Sequence, residues 1–496
     1  MALQEFKGQN WDYDNLLNKE TSGYYSIQRI APEENINAQL KPTTQTRYRF
    51  DIPISQKAIR MNTMSLYLDG NVVNGANIAA TSALLFTPSL GCIERCELKT
   101  KSGQVIYRNE KTRSYLSTLP DRIKHNQKKQ QQFNRIFFRK SYVAGADANT
   151  IGAATYLCYG NISNVYPIYS DSAATKYFLP AVVNGSPTYG EKLNINDADL
   201  LAALPADVDA NTRKIRIKWT QNLADVLGGP FALDLDVVFP DDQLILTIDI
   251  DSAFIYARPA AAPADHAALD GGAYHIQYDF KLNDVRLIFN AQEDAEINNN
   301  LIASIQKGAL TIPYEYLQTH TASREMANAA SRIIFNKTMF ASVGDTLRKI
   351  YLCSELEDKR WKIWHYPSLM WYVKFFLNST LLGEYNSESF DNIKGNINHL
   401  VNGVTHNDSE GNYFLPLWFC SPESHDITVS GLKMQPSSIY SFEIDKEDTT
   451  EIAGTLNYNV HLVSVKYLVI TNRGCAVMNS LTEVELNSQR TDIPIN

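Results

Sequence analysis

Residues 243–251 read QLILTIDID, and the spacing of their apolar side chains decides the fold class. Leu244, Leu246, Ile248 and Ile250 recur every second residue. A period of two predicts a half-buried β-strand with those four side chains facing inward and Thr247, Asp249 and Asp251 facing out. The segment KIRIKW at 214–219 repeats the pattern with Ile215, Ile217 and Trp219. Outward from these two segments the chain reads as short strands separated by turn signals: Met64 to Leu68 before Asp69-Gly70 and Asn74-Gly75, then Ile93 to Thr100 and Gln104 to Arg108 around Ser102-Gly103. Asx-Gly pairs favour tight turns because both central positions need positive φ. Further on, Tyr278 to Asn290 alternates around Phe280, Leu282, Val285 and Leu287, with a bulge expected near Asn283-Asp284. Met370 to Asn378, Tyr413 to Phe419, Ile439 to Ile444 and Leu456 to Ile470 complete the strands.

Helical spacing is confined to three places. Asp294 to Lys307 puts Ile297, Leu301, Ile302 and Ile305 on one stripe and stops at Gly308. Ser387 to Val401 aligns Phe390, Ile393, Ile397 and Leu400, and Thr112 to His125 is a third segment broken by Pro120. Many strands, few helices and no strand–helix–strand rhythm predict an all-β chain of sandwiches or barrels.

The length of 496 residues suits two domains, and 44% apolar content supplies a sizeable core. The stretch RPAAAPADHAALDGG at 258–272 is rich in Pro, Ala and Gly, with Leu269 as its one large apolar residue, and reads as a linker. The expected division is an N-terminal arm over 1–44, a first β unit over 45–257, the linker, a second unit over 273–480 and a tail over 481–496.

There are 46 basic and 54 acidic side chains, a formal charge of −8, which argues against a protein that coats nucleic acid with its whole surface. The N-terminus has no basic segment followed by an apolar stretch, so no signal peptide is expected, and no apolar run reaches spanning length. Synthesis inside a host cell is the default. The sequons at Asn161, Asn336, Asn378 and Asn407 then carry little weight.

No residue pattern singles out an active site. The six cysteines include no CxxC pair, and Cys92 and Cys96 would sit about 13 Å apart along a strand. Cys158, Cys353, Cys420 and Cys475 read as small apolar residues. His320, His365 and His461 read as polar strand residues. Ser424-His425-Asp426 is contiguous, whereas triad members converge from separate elements. Asp234, Asp236, Asp241, Asp242, Asp249 and Asp251 form a carboxylate-rich patch that could bind a divalent metal or simply line a solvent face. The common nucleotide-binding and hydrolase signatures are missing. The chain is therefore expected not to be an enzyme and to need no cofactor.

One basic segment stands out at 122–140, RIKHNQKKQQQFNRIFFRK. Arg122, Lys124, Lys128, Lys129, Arg135, Arg139 and Lys140 interleave there with Phe133, Phe137 and Phe138. Such a mixture can bind single-stranded nucleic acid or serve a subunit contact.

The strand order and texture resemble the double jelly-roll major capsid proteins of virophages, Polinton-like viruses, large eukaryotic DNA viruses, adenovirus (hexon) and tailless phages. The segments that carry the resemblance are FKLNDVRLIFN (280–290), ALTIPYEYLQTHTAS (309–323), MWYVKFFLNS (370–379), PSSIYSFEI (436–444) and GTLNYNVHLVSVKYLVITNRGCAVM (454–478). In the first half LFTPSLGCIERCELKTKSGQVIYRN (85–109) and PFALDLDVVFPDDQLILTIDI (230–250) are similar in style. The resemblance implies two eight-stranded jelly rolls in tandem and a homotrimeric, pseudo-hexagonal capsomer that tiles an icosahedral capsid. It also implies a virion location, partners among neighbouring capsomers, penton and minor capsid proteins or an internal membrane, and indirect contact with packaged DNA. Loops 144–192 and 402–412 would form outward towers. Two other readings stand beside it: a receptor- or carbohydrate-binding β-sandwich protein using Trp361 and Trp364, and an enzyme built on the carboxylate patch.

Overall fold

The computed structural model describes residues 24–34, 38–53, 57–72, 82–86, 92–116, 118, 168–170, 177–178, 214–239, 243–252, 255–259, 276–277, 279–326, 332–338, 346–356, 372–385, 414–420, 431–433, 439–445, 454–472 and 474–478. In the first half the strands are β1 (Tyr25–Ile30), β2 (Gln39–Leu40), β3 (Thr46–Ile52), β4 (Ile59–Val72), β5 (Ser82–Phe86), β6 (Ile93–Thr100), β7 (Val105–Asn109) and β8 (Ile168–Ser170). They continue with β9 (Tyr177–Phe178), β10 (Lys214–Asn222), β11 (Asp236–Val237), β12 (Leu244–Ile250), β13 (Ile255–Pro259), β14 (Ile276–Gln277) and β15 (Phe280–Gln292). Two short helices, α1 (Thr112–Leu116) and α2 (Leu223–Leu227), lie among them, and a 3-10 turn covers Gly229–Ala232. Helix α3 (Ala295–Lys307) opens the second half. There follow β16 (Leu310–Met326), β17 (Arg332–Thr338), β18 (Thr346–Leu356), β19 (Tyr372–Leu377) and β20 (Thr380–Tyr385). The last are β21 (Phe414–Trp418), β22 (Leu432–Lys433), β23 (Ile439–Asp445), β24 (Gly454–Thr471) and β25 (Gly474–Met478).

The second half is a jelly roll by its own strand order. One sheet runs β16-β24-β18-β21 and the other β17-β23-β19-β20. Taking those eight strands in chain order as one to eight, the sheets read 1-8-3-6 and 2-7-4-5. That interleaving is the rolled pair of Greek keys. Its longest pair joins β16 to β24 in unbroken antiparallel register from Leu310↔Ile470 to Met326↔Gly454. The first half shares the principle. One sheet is β3-β12-β6-β7, and the other contains β4-β10-β8-β9. Counting only these eight strands, first and last pair (β3 with β12), as do second and next-to-last (β4 with β10), and the hairpin partner β7 flanks β6.

Several local readings change. Asp69-Gly70 is no turn, because β4 runs through it. A Cβ at Gly70 would meet the Phe280 ring and the Lys281 carbonyl at 2.5 Å, so glycine is there for close packing. The turn at Ser102-Gly103 forms, with Gly103 at φ 100°. The arm 1–44 is not irregular throughout: β1 and β2 both pair with β15. Segment 280–292, read as the opening of the second unit, pairs instead with β4 of the first sandwich. Arg258 and Pro259 end strand β13 rather than begin a linker, and 260–275 lies outside the described residues. The bulge expected at Asn283-Asp284 is present, and it explains the change of parity that buries Leu282 and then Val285. Of the segment from Thr112 to His125, Thr112–Leu116 is helical and 119 onward lies outside the described residues, as does Ser387 to Val401.

Helix α3 forms where its spacing predicts. Asp294 caps it by accepting from the amides of Glu296 (2.9 Å) and Ile297 (3.3 Å). Ile297, Leu301 and Ile305 are buried, while Ile302 packs at the margin. One apolar core runs from Tyr48, Phe50 and Leu246 in the first sandwich to Tyr351, Val463 and Ile470 in the second.

Candidate functional site

The two sandwiches meet at a seam built from β7, the 3-10 turn, α1, β16 and β18. The Tyr314 hydroxyl of β16 donates to the Ile106 carbonyl of β7 (2.8 Å), and Tyr107 donates to the Leu227 carbonyl (3.0 Å). Tyr107 also meets Phe231 edge-on at 5.4 Å. Gly229 sits at φ 59°. A Cβ there would lie 3.0 Å from both the Glu315 carbonyl oxygen and the Tyr107 ring. This is close packing of backbone against side chain, which fixes one half relative to the other.

Buried polar groups line the same seam. Arg113 of α1 donates to Asp251 (2.7 Å) and lies 3.7 Å from Glu94, and all three residues are buried. Next to it, fully buried His461 of β24 lies 3.1 Å from the Ser114 hydroxyl through Nε2 and 2.9 Å from the Thr319 hydroxyl through Nδ1. Tyr115 packs over its ring at 5.3 Å. A shallow cleft of about 250 Å³ opens beside the seam, lined by Arg108, Glu110, Tyr316 and His320 among others.

The described carboxylates of the presumed patch fall into three sets, each paired with its own arginine. Asp234 accepts from Arg60 and Asn62, and fully buried Asp236 accepts from the Tyr25 hydroxyl (2.8 Å) with Arg60 at 3.6 Å. Asp249 accepts from two Arg47 nitrogens, Nε (2.8 Å) and Nη2 (3.0 Å). Asp249 and Asp251 are buried, not solvent-facing as their alternation predicts; each meets an arginine that the sequence places far away. Asp241 and Asp242 lie outside the described residues. Among the described residues no three His, Cys, Asp or Glu side chains converge as a metal site would require.

Cys92, Cys96, Cys353, Cys420 and Cys475 are buried thiols. Burial pushes Cys92 up to about 12 and raises Cys96 as well, which keeps both protonated at neutral pH. The basic residues Arg122, Lys124, Lys128, Lys129, Arg135, Arg139 and Lys140, and also Trp361, Trp364, Cys158, His365, Ser424-His425-Asp426 and the tail, lie outside the described residues. So do loop 402–412 and most of 144–192. Among the described residues no helix is long and apolar enough to cross a membrane.

Among the described residues the outer surface has two apolar features that sequence patterning missed. Tyr24 and Ile27, at the N-terminal strand β1, are 72% and 63% exposed. Leu381, Leu382 and Ile439, around the β19–β20 hairpin, are about half exposed. That hairpin turns through Asn378 (φ 48°) and Ser379 (φ 66°), the conformation of a two-residue turn with both central φ positive. Between the Phe375↔Gly383 and Phe376↔Leu381 pairs the register slips, so Leu382 is the bulged residue. The outer face of β3, β12, β6 and β7 is instead charged, with Arg49, Glu97 and Arg108 in cross-strand register and Glu97 within 3.9 Å of Arg108.

No family model matches the chain, and no curated protein does. Solved structures resemble it along nearly its whole length. The Faustovirus major capsid protein matches at TM-score 0.48 and 10% identity, covering 95% of this chain and 99% of that one. The Sputnik virophage structure matches at TM-score 0.47 and 11% identity, covering 96% and 92%. The mavirus major capsid protein matches at TM-score 0.46 and 9% identity, covering 97% and 96%.

Proposed function

We propose that this chain is the major capsid protein of an icosahedral DNA virus, a structural protein without catalytic chemistry. The observation that carries the reading is the pair of tandem sandwiches locked through a packed seam. Three such chains arranged about a three-fold axis present six similar lobes, the outline of a hexagon, which tiles a closed shell. A cyclic homo-oligomer of this kind is built from one repeated contact. Strand edges are an aggregation hazard in an isolated sandwich, and packing against neighbours covers them.

In this reading the segments before β1 and after β25 tie capsomers to neighbouring capsomers, to penton and minor capsid proteins or to an internal membrane. The basic segment 122–140 then faces either the packaged DNA or a subunit contact. Neutralising Arg122, Lys124, Lys128, Lys129, Arg135, Arg139 and Lys140 separates the two. Altered packaging with intact trimers marks a genome-facing role, and loss of trimers marks a subunit contact.

The test of the whole reading is the mass and outline of the purified protein. A particle of about 168 kDa, three times the 55.9 kDa of one chain, with a hexagonal outline in negative stain and sheets or shells at higher concentration is expected. A stable monomer at all concentrations overturns it.

A further inference from the structure

Each of these two apolar features includes an outer strand, one in each half of the molecule. β1 ends the order β1-β15-β4-β10-β8-β9, and β20 ends β17-β23-β19-β20 among the described residues. Their chemistry is complementary. On β1, Ile27 and Arg29 are two residues apart and both exposed. On β20, Leu382 and Glu384 are two residues apart and both exposed. Two residues span about 6.6 Å of a strand, so the two spacings match. With the strands running the same way, Ile27 reaches Leu382 while Arg29 reaches Glu384. Neither Arg29 nor Glu384 forms an ion pair with a described residue. Tyr24 on one side, and Leu381 with Ile439 on the other, widen the apolar surface. Ile439 is held at the hairpin by its amide, which donates to Asn378 Oδ1 (2.9 Å), while the Asn378 amide donates to the Ile439 carbonyl (2.8 Å).

We infer that β1 of one copy packs against β20 of a second copy of this chain, with Ile27 on Leu382 and Arg29 on Glu384. The two patches differ and lie on different sandwiches, so the contact is head-to-tail. A head-to-tail contact leaves one unused patch at each end of a dimer and is satisfied only when the ring closes. The inference rests on the trimeric reading above and names the contact that closes it. The anchoring of β1 suits this role. Its Tyr25 hydroxyl donates to Asp236, Ser26 bonds Glu293, and the Glu293 amide donates to the Tyr24 carbonyl (2.7 Å). The strand therefore presents its outer face from a fixed position.

The test uses the full chain, with oligomeric mass followed by native mass spectrometry over a dilution series. Arg29→Glu and Glu384→Arg should each raise the trimer dissociation midpoint at least ten-fold, and the double exchange should restore it. Ile27→Asp and Leu382→Asp should each abolish trimers. Mixed in equal amounts they should give dimers and no trimers, since each retains one intact patch. Far-ultraviolet circular dichroism should be unchanged, because all four side chains are exposed. As a second readout, amide exchange over 25–30 and 380–385 in the unaltered protein should slow as trimers form. Trimers that persist in all four single variants, with no added protection in those segments, overturn the inference and leave the trimer standing. A wild-type chain that is monomeric throughout overturns both.

Discussion

Arg113 shows how buried charge shapes this molecule. Its guanidinium is almost fully buried between Asp251 and Glu94. Removing one partner of such a set leaves an uncompensated charge in a low-dielectric interior, which costs about 3–5 kcal/mol. Arg113→Ala should therefore lower stability by about that amount in chemical denaturation, and Asp251→Asn on the same background should recover part of the loss. No recovery would mean that Asp251 is not the group left exposed by the change. The cysteines make a second prediction. With Cys92 at about 12 and Cys96 also raised by burial, a thiol-specific reagent at pH 8 should modify neither in the folded protein and both after unfolding. Rapid labelling of either in the native state would contradict their burial. Sequence alone described these residues only in part. The alternation of 244–250 gave the strand, yet it put Asp249 and Asp251 in solvent. Their partners, Arg47 and Arg113, come from other elements, and a pairing across that much sequence leaves no periodic trace.

Elements were legible where one face of a segment carries the burial. Helix α3 is an example, and so is β15, whose change of parity marks the bulge at Asn283-Asp284. Losing the α3 cap through Asp294→Ala should cost about 1 kcal/mol in thermal or denaturant unfolding, and a replacement by Ser or Asn should cost less. Strand β1 was illegible for the opposite reason. Its residues are intermediate or exposed in near alternation, and its register with β15 joins Tyr25 to Gln292. Its hold is electrostatic as well as backbone. The Lys57 ammonium, and then the Ser26 hydroxyl, keep the Glu293 carboxyl below its ordinary value of 4.5. A carboxyl lowered in the folded state adds stability above its unfolded value and loses it as pH falls through the folded one. Amide protection over 25–30 should thus hold from neutral pH down to about 5 and weaken below 4.5, with Glu293→Gln showing weak protection at every pH. Equal protection in both proteins across that range would remove Glu293 from the account.

At the scale of the whole chain, the two sandwiches should behave as one cooperative unit. Domains joined by a flexible linker and a small polar contact unfold separately. Here the halves share an apolar core, and β15, the last strand before the second sandwich, is woven into the first sandwich between β1 and β4. Tyr314 bridges the seam with its hydrogen bond to the Ile106 carbonyl, and Tyr107, held within the first half by the Leu227 carbonyl, packs beside it against Gly229. Gly229 allows the close approach to the Glu315 carbonyl and the Tyr107 ring beside that bridge, since its positive φ and 3.0 Å neighbours strain any side chain placed there. In the proposed shell such coupling would keep the lobes of one chain in fixed register, where a hinge between them would not. Scanning calorimetry of the unaltered protein should accordingly show a single transition for the two sandwiches, with matching calorimetric and van't Hoff enthalpies. Gly229→Val should wedge the seam apart and split the transition in two. The milder Tyr314→Phe removes only the donor to Ile106, and should lower the midpoint while keeping one transition. Two resolved transitions in the unaltered protein would show that the seam does not couple the halves.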